Sequence, residues 1–535
     1  MSQKNIKTGV LLLAVSLLLI GLAACGAAAE PQVVEKIVTV EVEKEVQVEV
    51  EKVVTVEVEK EVQVEVEKIV TVEVMQEAAA GGSAARAVEA AKQYAGTTLN
   101  VTWEAGLQAQ DPLLFSGPEW EKLTGIKINV VEVPFPELYS KAVAEHLGGT
   151  GAYDVLNYSP AWTGDLADTG VLEPLDAYMD QYMDKADLED INPVYLPFQS
   201  WKGQTYGLFD DGDVFVMYYR KDWFEDEANM AEFNEQFGRD LAPPATWAEW
   251  DEVCQFFTEK FSADGSYGCG IQRAEGQAYL WFMDHFRNNG GKFFDDDMKA
   301  AINSEAGIQT LTEMVNSNKF MPPGIEKWGF VEILSAWLDG KLGMIVTWPP
   351  IGRWSEGYGT QTAQLSWVPK TQVAGNVGYA IPPGGHSELA GGFSLGVSAD
   401  SQNKEAAYLF IQWLSSPEVS NQRVKLPFAL RDPYRLSHYE DTLYQNLWPS
   451  APEYLQVLKE GAETGVADLG IPGAREYEEA LDRAVTSAYA GTDPQEALDA
   501  AAEEWDAITD RIGVDVQKAA LDEWIKNLGP NAYPE

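Results

Sequence analysis

The sequence predicts a mixed α/β globular region that follows an extended, charged N-terminal segment. Three observations carry this reading. Strand-like alternations separated by helical stretches run from residue 97 to 158, a Val/Glu repeat of period 16 lies before them, and an amphipathic helical pattern closes the chain.

The leader comes first. Lys4 and Lys7 precede the apolar run VLLLAVSLLLI at residues 10–20, and small residues then lead to Cys25 within LAACG. A positive start, a short apolar core and a small-residue exit form the layout of a secretory signal, and the run is too short for a comfortable membrane span. LAACG resembles the lipobox of bacterial lipoproteins. That resemblance implies a signal peptide over residues 1–24, cleavage before Cys25 and lipid on that residue, with a soluble secreted protein as the alternative. Each buried acyl methylene stabilises membrane residence by about 0.8 kcal/mol, so several chains anchor firmly.

Next, VEKIVTVEVEKEVQVE (34–49) recurs as VEKVVTVEVEKEVQVE (50–65), and a third copy begins at Val66. Val40, Val42, Val46 and Val48 hold even positions, while Glu41, Glu43, Glu45 and Glu49 hold odd ones. This two-residue alternation survives an even period, whereas a helix would rotate its stripe by about 160° per copy. Residues 25–96 therefore read as an extended acidic stalk and linker, with a self-associating β segment as the rival. Roughly 45 residues of such chain could reach about 150 Å. The small-residue run AAAGGSAARA at 78–87 reads as the hinge into the globular part.

The chain carries 84 acidic against 38 basic residues, a formal charge of −46, and the repeats account for only a minor part of the excess. Nucleic acid and anionic membrane surfaces are poor partners for such a field. Acidity alone names no ligand. Apart from Cys25, only Cys254 and Cys269 are present. Two cysteines 15 residues apart outside the cytoplasm suit a disulfide, worth about 3 kcal/mol in the chain-entropy picture. Buried free thiols are the alternative, and the spacing does not match paired zinc ligands.

Within the globular part, Leu99, Val101 and Trp103 alternate as a strand, as do Ile126, Ile128 and Val130. A helix with Trp120 and Leu123 lies between them and stops at Gly125; another starts at Pro136 and stops at Gly148 and Gly149. YDVLNY (153–158) is the third strand. Such alternation predicts a parallel sheet, with ligands outside the carboxyl ends of its strands. Those ends carry Trp103 and Glu104, then Asn157, Tyr158 and Trp162. Strands at 205–209 and 214–219 flank an acidic turn with Asp210, Asp211 and Asp213. Trp247, Trp250 and Phe256 mark an apolar stripe, Ile333 to Leu338 a helix ending at Gly340, and LGMIVTW (342–348) a strand. Residues 393–397 form another strand, Ala407 to Leu414 a helix, and Asp493–Pro494–Glu496 caps a last helical run through Ile512.

Catalytic signatures are weak. Gly392–Phe393–Ser394–Leu395–Gly396 matches G-x-S-x-G, but Phe393, Leu395 and Val397 alternate straight through it and place Ser394 inside a strand, where no nucleophile elbow forms. The acidic turn lacks the spacing of a calcium loop. No enzyme activity, metal or cofactor is expected.

Seven segments in order resemble the family 1 extracellular solute-binding proteins of ABC importers, the group with the maltose-binding proteins. They are EKLTGIKINVVEVP (121–134), YDVLNY, LADTGVLEPLD (166–176), YGLFDDGDVFVMYYRKDWFED (206–226), GKLGMIVTWPP (340–350), GGFSLGVSADSQNKEAAYLFIQWLSS (391–416), and IPGAREYEEALDRA with GTDPQEAL. The resemblance implies an α/β, two-lobed, periplasmic-binding-protein-like (type II) fold with a hinge. One lobe is expected to span 97–212 with 391–445, and the other 213–390 with 446–535. It further implies a monomeric, lipid-anchored protein facing the extracytoplasmic side, which captures a carbohydrate (sugar, oligosaccharide or polyol) in the interlobe cleft and delivers it to a permease. A carrier of a cationic solute such as a polyamine or betaine is the alternative, with a surface glycosidase behind it. The expected contact residues are Trp103, Glu104, Asn157, Tyr158, Trp162, Asp210, Asp211, Asp213, Trp281, Trp348, Gly392, Phe393 and Arg431. Indoles would stack on the solute while acids and amides satisfy its hydroxyls. The acidic turn and the doubled Pro349–Pro350 depart from sugar-binding examples and leave the ligand open.

Overall fold

Alternating apolar residues and glycine stops build the first of two sheets where the sequence places it. A computed structural model describes residues 82–389 and 392–533; the leader, Cys25 and the Val/Glu repeats lie outside them. Thr98–Glu104 pairs in parallel with Lys127–Val133 and with Val155–Tyr158. Two further strands complete the sheet, in the order Lys127–Val133, Thr98–Glu104, Val155–Tyr158, Phe393–Val397, Leu208–Asp211. The Phe393–Val397 strand runs antiparallel to both neighbours, opposing Ser394 to Tyr158 and Phe393 to Asp211.

The helices between these strands end as their glycines require. Gly117–Thr124 stops at Gly125 (φ 77°), and Phe135–Gly148 stops at Gly149 (φ 59°). Lys404–Ser415 covers one face of the sheet, and Trp120 lies fully buried with its ring 5.6 Å from Phe410 and 5.4 Å from Trp413. Burying such a ring contributes on the order of 2–3 kcal/mol.

Residues 83–94 depart from the expected linker. Ser83–Ala91 is a helix whose Ala84, Ala87 and Ala91 are buried in the same core as Leu409 and Trp413, and Gln412 Nε2 donates to the Ser83 carbonyl at 3.0 Å. Small side chains suit a helix that must lie close to its neighbour, and from Ser83 onward the run that reads as a hinge is packed structure. A second difference concerns the acidic turn: Asp210 and Asp211 belong to the Leu208–Asp211 strand, whose pairing with Phe393–Val397 draws them into the sheet. The following strand is Val216–Arg220.

That strand belongs to the second sheet, ordered Val377–Ala380, Val216–Arg220, Leu342–Thr347, Tyr267–Ile271, so the chain passes from one sheet to the other between Asp211 and Val216. Only the last pair is parallel. Of the C-terminal helices, Ala474–Tyr489 packs beside Ala278–Asn288, Pro494–Ile512 against Ala474–Tyr489 and Glu305–Ser317, and Val514–Leu528 against Pro494–Ile512. Asp493 caps its helix by accepting from the amides of Gln495 and Glu496. Two lobes result, one around each sheet. Among the described residues, no helix is long and apolar enough to cross a membrane.

Cys254 on Trp247–Phe261 and Cys269 on Tyr267–Ile271 form a disulfide with Cα atoms 5.2 Å apart, both fully buried. Helix and strand approach so closely here that a Cβ on Gly268 would stand 2.1 Å from the Cys254 carbonyl oxygen. Replacing both cysteines with alanine is expected to lower the unfolding free energy by about 3 kcal/mol, read as a fall in the urea midpoint; an unchanged midpoint would contradict it.

Candidate functional site

The carboxyl ends of strands from both sheets meet around a cavity of about 250 Å³. From the first lobe, Glu104 ends its strand, Ser159 follows the next, and Gly392 and Phe393 open the antiparallel strand. From the second, Trp348 follows Leu342–Thr347, while Tyr279, Phe330 and Asp468 come from helices and loops. Gly392 is constrained twice. Its φ is +57°, and a Cβ there would meet the Asp211 carbonyl oxygen at 2.1 Å, so only glycine lets the strand end pass.

A buried ion network supports the floor. Asp111 receives both Nε (2.9 Å) and Nη2 of Arg423, whose Nη2 also lies 2.6 Å from Asp210 Oδ1. Asp210 Oδ2 is 2.9 Å from Arg431 Nε, and all four side chains are fully buried. Arg431 also binds the Gln108 side chain and lays its guanidinium over the Trp103 ring at 5.4 Å. Asp211 accepts from Gln108 Nε2 (3.2 Å) and the Asp432 amide (2.7 Å), and Asp432 pairs with Arg353 at 3.3 Å.

The expected contact residues separate into two groups. Glu104, Asp213, Trp348, Gly392 and Phe393 line the cavity. The others stand behind the wall. Trp103 is fully buried under Arg431, while Asn157 accepts the Glu104 amide at 3.3 Å. Tyr158 is buried beside them. Trp162 is fully buried and donates to Glu478 at 3.0 Å; it supports Phe135, whose ring lies 5.5 Å away. Asp210, Asp211 and Arg431 belong to the network. Trp281 binds the Val346 carbonyl, backs Trp348 edge-on at 5.3 Å, and lines a separate cavity of about 170 Å³ with Trp247, Arg273 and His285. Trp103 sits in a strand whose core claims its ring first, whereas Trp281 on its helix and Arg431 on its loop are held by partners that approach from elsewhere.

Sequence reading missed Gln108, Phe135, Tyr279, Phe330 and Asp468 as lining residues. Only Phe135, one residue before the helix-opening Pro136, carried a local signal. Ser394 lies inside its strand, fully buried, with no hydrogen-bond partner for its hydroxyl.

Electrostatics set the wall apart. Burial raises Glu104 to about 7, against the lowering pull of Arg431. Burial, then repulsion from Asp432, raises Asp211 to about 8. Asp213 is held well above the usual carboxylate range, first by burial and then by Asp211 and Asp432. One carboxyl oxygen from each of Asp211, Asp213 and Asp432 falls within a 4.8 Å cluster.

A two-lobed α/β protein with an aromatic, acid-lined cavity at facing strand ends is a small-molecule binder by architecture. The chain belongs to the bacterial extracellular solute-binding protein family, whose pattern matches residues 96–420. A probable amino-acid ABC transporter periplasmic-binding protein of Sinorhizobium fredii is 25% identical over 379 residues, 69% of this chain and 79% of that protein. An erythritol/L-threitol-binding protein of Mycolicibacterium smegmatis is 23% identical over 69% of this chain and 76% of its own length. The crystal structure of an ABC transporter solute-binding protein from Agrobacterium radiobacter in complex with ribitol superposes with a TM-score of 0.63 at 24% identity, covering 79% of this chain and 99% of that one.

Two outcomes are expected from this geometry. Arg423→Met leaves buried Asp111 without its close cation and Asp210 with Arg431 alone, and should cost about 3–5 kcal/mol in urea unfolding; a loss below 1 kcal/mol, taking about 1 as the scale of a surface pair, would contradict the network's role. Raised carboxyl pKa values mean that the protonated form favours the fold. The contribution of these carboxyls to unliganded stability is therefore fullest below the unfolded-state values near 4 and is lost as pH rises through about 7 to 8. In thermal melts across this range, Glu104→Gln should lose less stability than wild type.

Proposed function

We propose that this protein is the capture component of an ABC importer, binding a carbohydrate in the cleft and presenting it to the permease. The observation that carries the reading is the cavity itself, where ring faces of Phe135, Phe393 and Trp348 stand beside hydrogen-bonding Glu104, Gln108 and Asp213. Apolar faces of a sugar or polyol pack on the rings, and its hydroxyls meet the acids and amides. Each such hydrogen bond nets about 0.5–1.5 kcal/mol, so several with stacking reach about 8 kcal/mol, a micromolar site. At about 250 Å³ the cavity suits a monosaccharide or short polyol better than an oligosaccharide, because ligand pockets of about 300–1,000 Å³ serve larger molecules. The relatives named for erythritol, threitol and ribitol support the same choice.

Glu104, Asp213, Trp348, Gly392 and Phe393 form the contact set in this reading, with the buried network holding them in place. The protein acts as a monomer and breaks no bond in its solute, in keeping with relatives that are binding proteins. Lipid on Cys25 tethers it outside the cytoplasm, and the Val/Glu repeats form the stalk between membrane and cleft. Lobe closure over the solute completes the site by a hinge motion.

Thermal-shift screening against pentoses, hexoses and four- to six-carbon alditols tests this. At least one should raise the melting temperature, and small-angle scattering should show contraction on binding. Trp348→Ala should weaken that ligand about tenfold, or about 1.4 kcal/mol. Absence of any response across the set would remove the carbohydrate reading.

A further inference from the structure

The cavity wall carries acids without bases. Glu104, Asp213 and Asp468 line it, and among the described lining residues there is no Lys, Arg or His. The guanidiniums beneath are already engaged: Arg423 by Asp111 and Asp210, Arg431 by Asp210 and Gln108, Arg353 by Asp432. Glu104, Asp211 and Asp213 are left without a close guanidinium of their own; the nearest approach is Arg431 Nη1, 3.8 Å from Asp211. Asp432 is fully buried and shares a hydrogen bond with Asp213, so that acid meets another acid rather than a cation.

The opposite wall repeats the imbalance. Asp468 lines it and shares a hydrogen bond with Glu388 behind it, both oxygens of the buried Asp284 have no partner, and Arg287 is the one guanidinium that offsets Glu388 and Asp468. Arg287 itself lies against the rings of Phe293 and Tyr533, at 4.7 and 4.5 Å. A buried carboxyl without a cation must hold a proton or pay a large desolvation penalty. Acids that converge on a solute cavity from both lobes have a third option, a positive charge brought by the solute. The aromatic faces of Trp348 and Phe393 add to that attraction.

We infer that the cleft selects a polyhydroxylated solute bearing a protonated amine, an amino sugar or amino polyol, whose ammonium seats against Glu104 and Asp213. The inference rests on the carrier reading and narrows its substrate class.

The facing groups set the pH response. Glu104 comes from the first strand and Asp211 and Asp213 from the crossing segment. Asp432 and Arg431 come from one loop, Arg353 from the Pro350–Ser355 helix, and Asp468 from the far wall with Glu388 and Arg287 behind it. In the empty cleft Glu104 holds its proton up to about 7 and Asp211 up to about 8. A bound ammonium favours the ionised carboxylates, and the protons they lose pass to the buffer. Affinity for the amine therefore rises with pH between about 6 and 8, while a neutral alditol, which expels no proton, gains nothing.

Titration calorimetry with sorbitol, 1-amino-1-deoxysorbitol and its N-acetyl derivative tests this, with the corresponding pentitols run alongside. The aliphatic amine stays charged throughout the pH range. The amines are expected to bind at least tenfold tighter than the alditols, tighter at pH 8 than at pH 6, with proton release that scales the heat across buffers of different ionisation enthalpy. N-acetylation should remove the advantage. Glu104→Gln should bring the amine-to-alditol affinity ratio toward one; should that variant not fold, Asp213→Asn and the wild-type pH series carry the same comparison. Alditols binding as tightly as their amines would overturn the inference and leave the carrier reading standing. Failure of every compound, amine and neutral alike, would count against both.

Discussion

The site depends on one buried chain of charges. Asp111, Arg423, Asp210 and Arg431 come from three distant stretches of sequence, and each holds the next within ion-pair distance without solvent. Buried ion pairs seldom add net stability, because desolvation offsets their attraction. What they supply is position: removing one member strands the others, so the chain has a single favourable arrangement. Here that arrangement fixes the Leu208–Asp211 strand end, the Arg431–Asp432 loop and the turn before Pro112 as one floor. Gly392 passes over that floor so closely that no side chain fits.

From that floor the cleft follows. Glu104 and Ser159 stand at the ends of parallel strands, Phe393 begins an antiparallel one, and Trp348 faces them from the second sheet. Rings that never reach the cavity still shape it: Trp162 backs Phe135 at 5.5 Å, and Trp281 backs Trp348 at 5.3 Å. An indole held edge-on by a second indole loses little further freedom when a solute stacks on it, so less of the binding energy is lost to ordering.

Local periodicity made much of this legible. Alternation at Leu99, Val101 and Trp103, and again at Ile128 and Val130, marks strands because each is set by neighbours two residues away; Gly125 and Gly149 mark helix ends for an equally local reason. The family pattern came through seven short segments, and family membership holds. What sequence could not give is partnership at a distance. Asp111 and Arg423 lie 312 residues apart, and nothing near either residue announces the other. The same limit explains the indoles. Trp103 and Trp348 both end strands, but whether such a ring is covered by a guanidinium or left facing solute is decided by elements that approach from elsewhere. Alanines 84, 87 and 91 read as linker because small residues carry little hydropathy signal, although close helix contact calls for them.

The chain's acid excess acquires meaning only at this resolution. A net charge of −46 is mostly solvated surface and distinguishes no ligand. Glu104, Asp213 and Asp468 are different because they converge on one cavity and are not matched by lining bases, and Asp468 is buried outright. A protein gains no stability from such groups; burial raises their pKa values and weakens the unliganded fold as pH rises. Their placement is therefore a cost borne at the candidate site, which an incoming solute would relieve in the proposed reading. Lobe closure would couple the two, since bringing acids from both walls toward one another is unfavourable until something positive, or something able to donate several hydrogen bonds, stands between them.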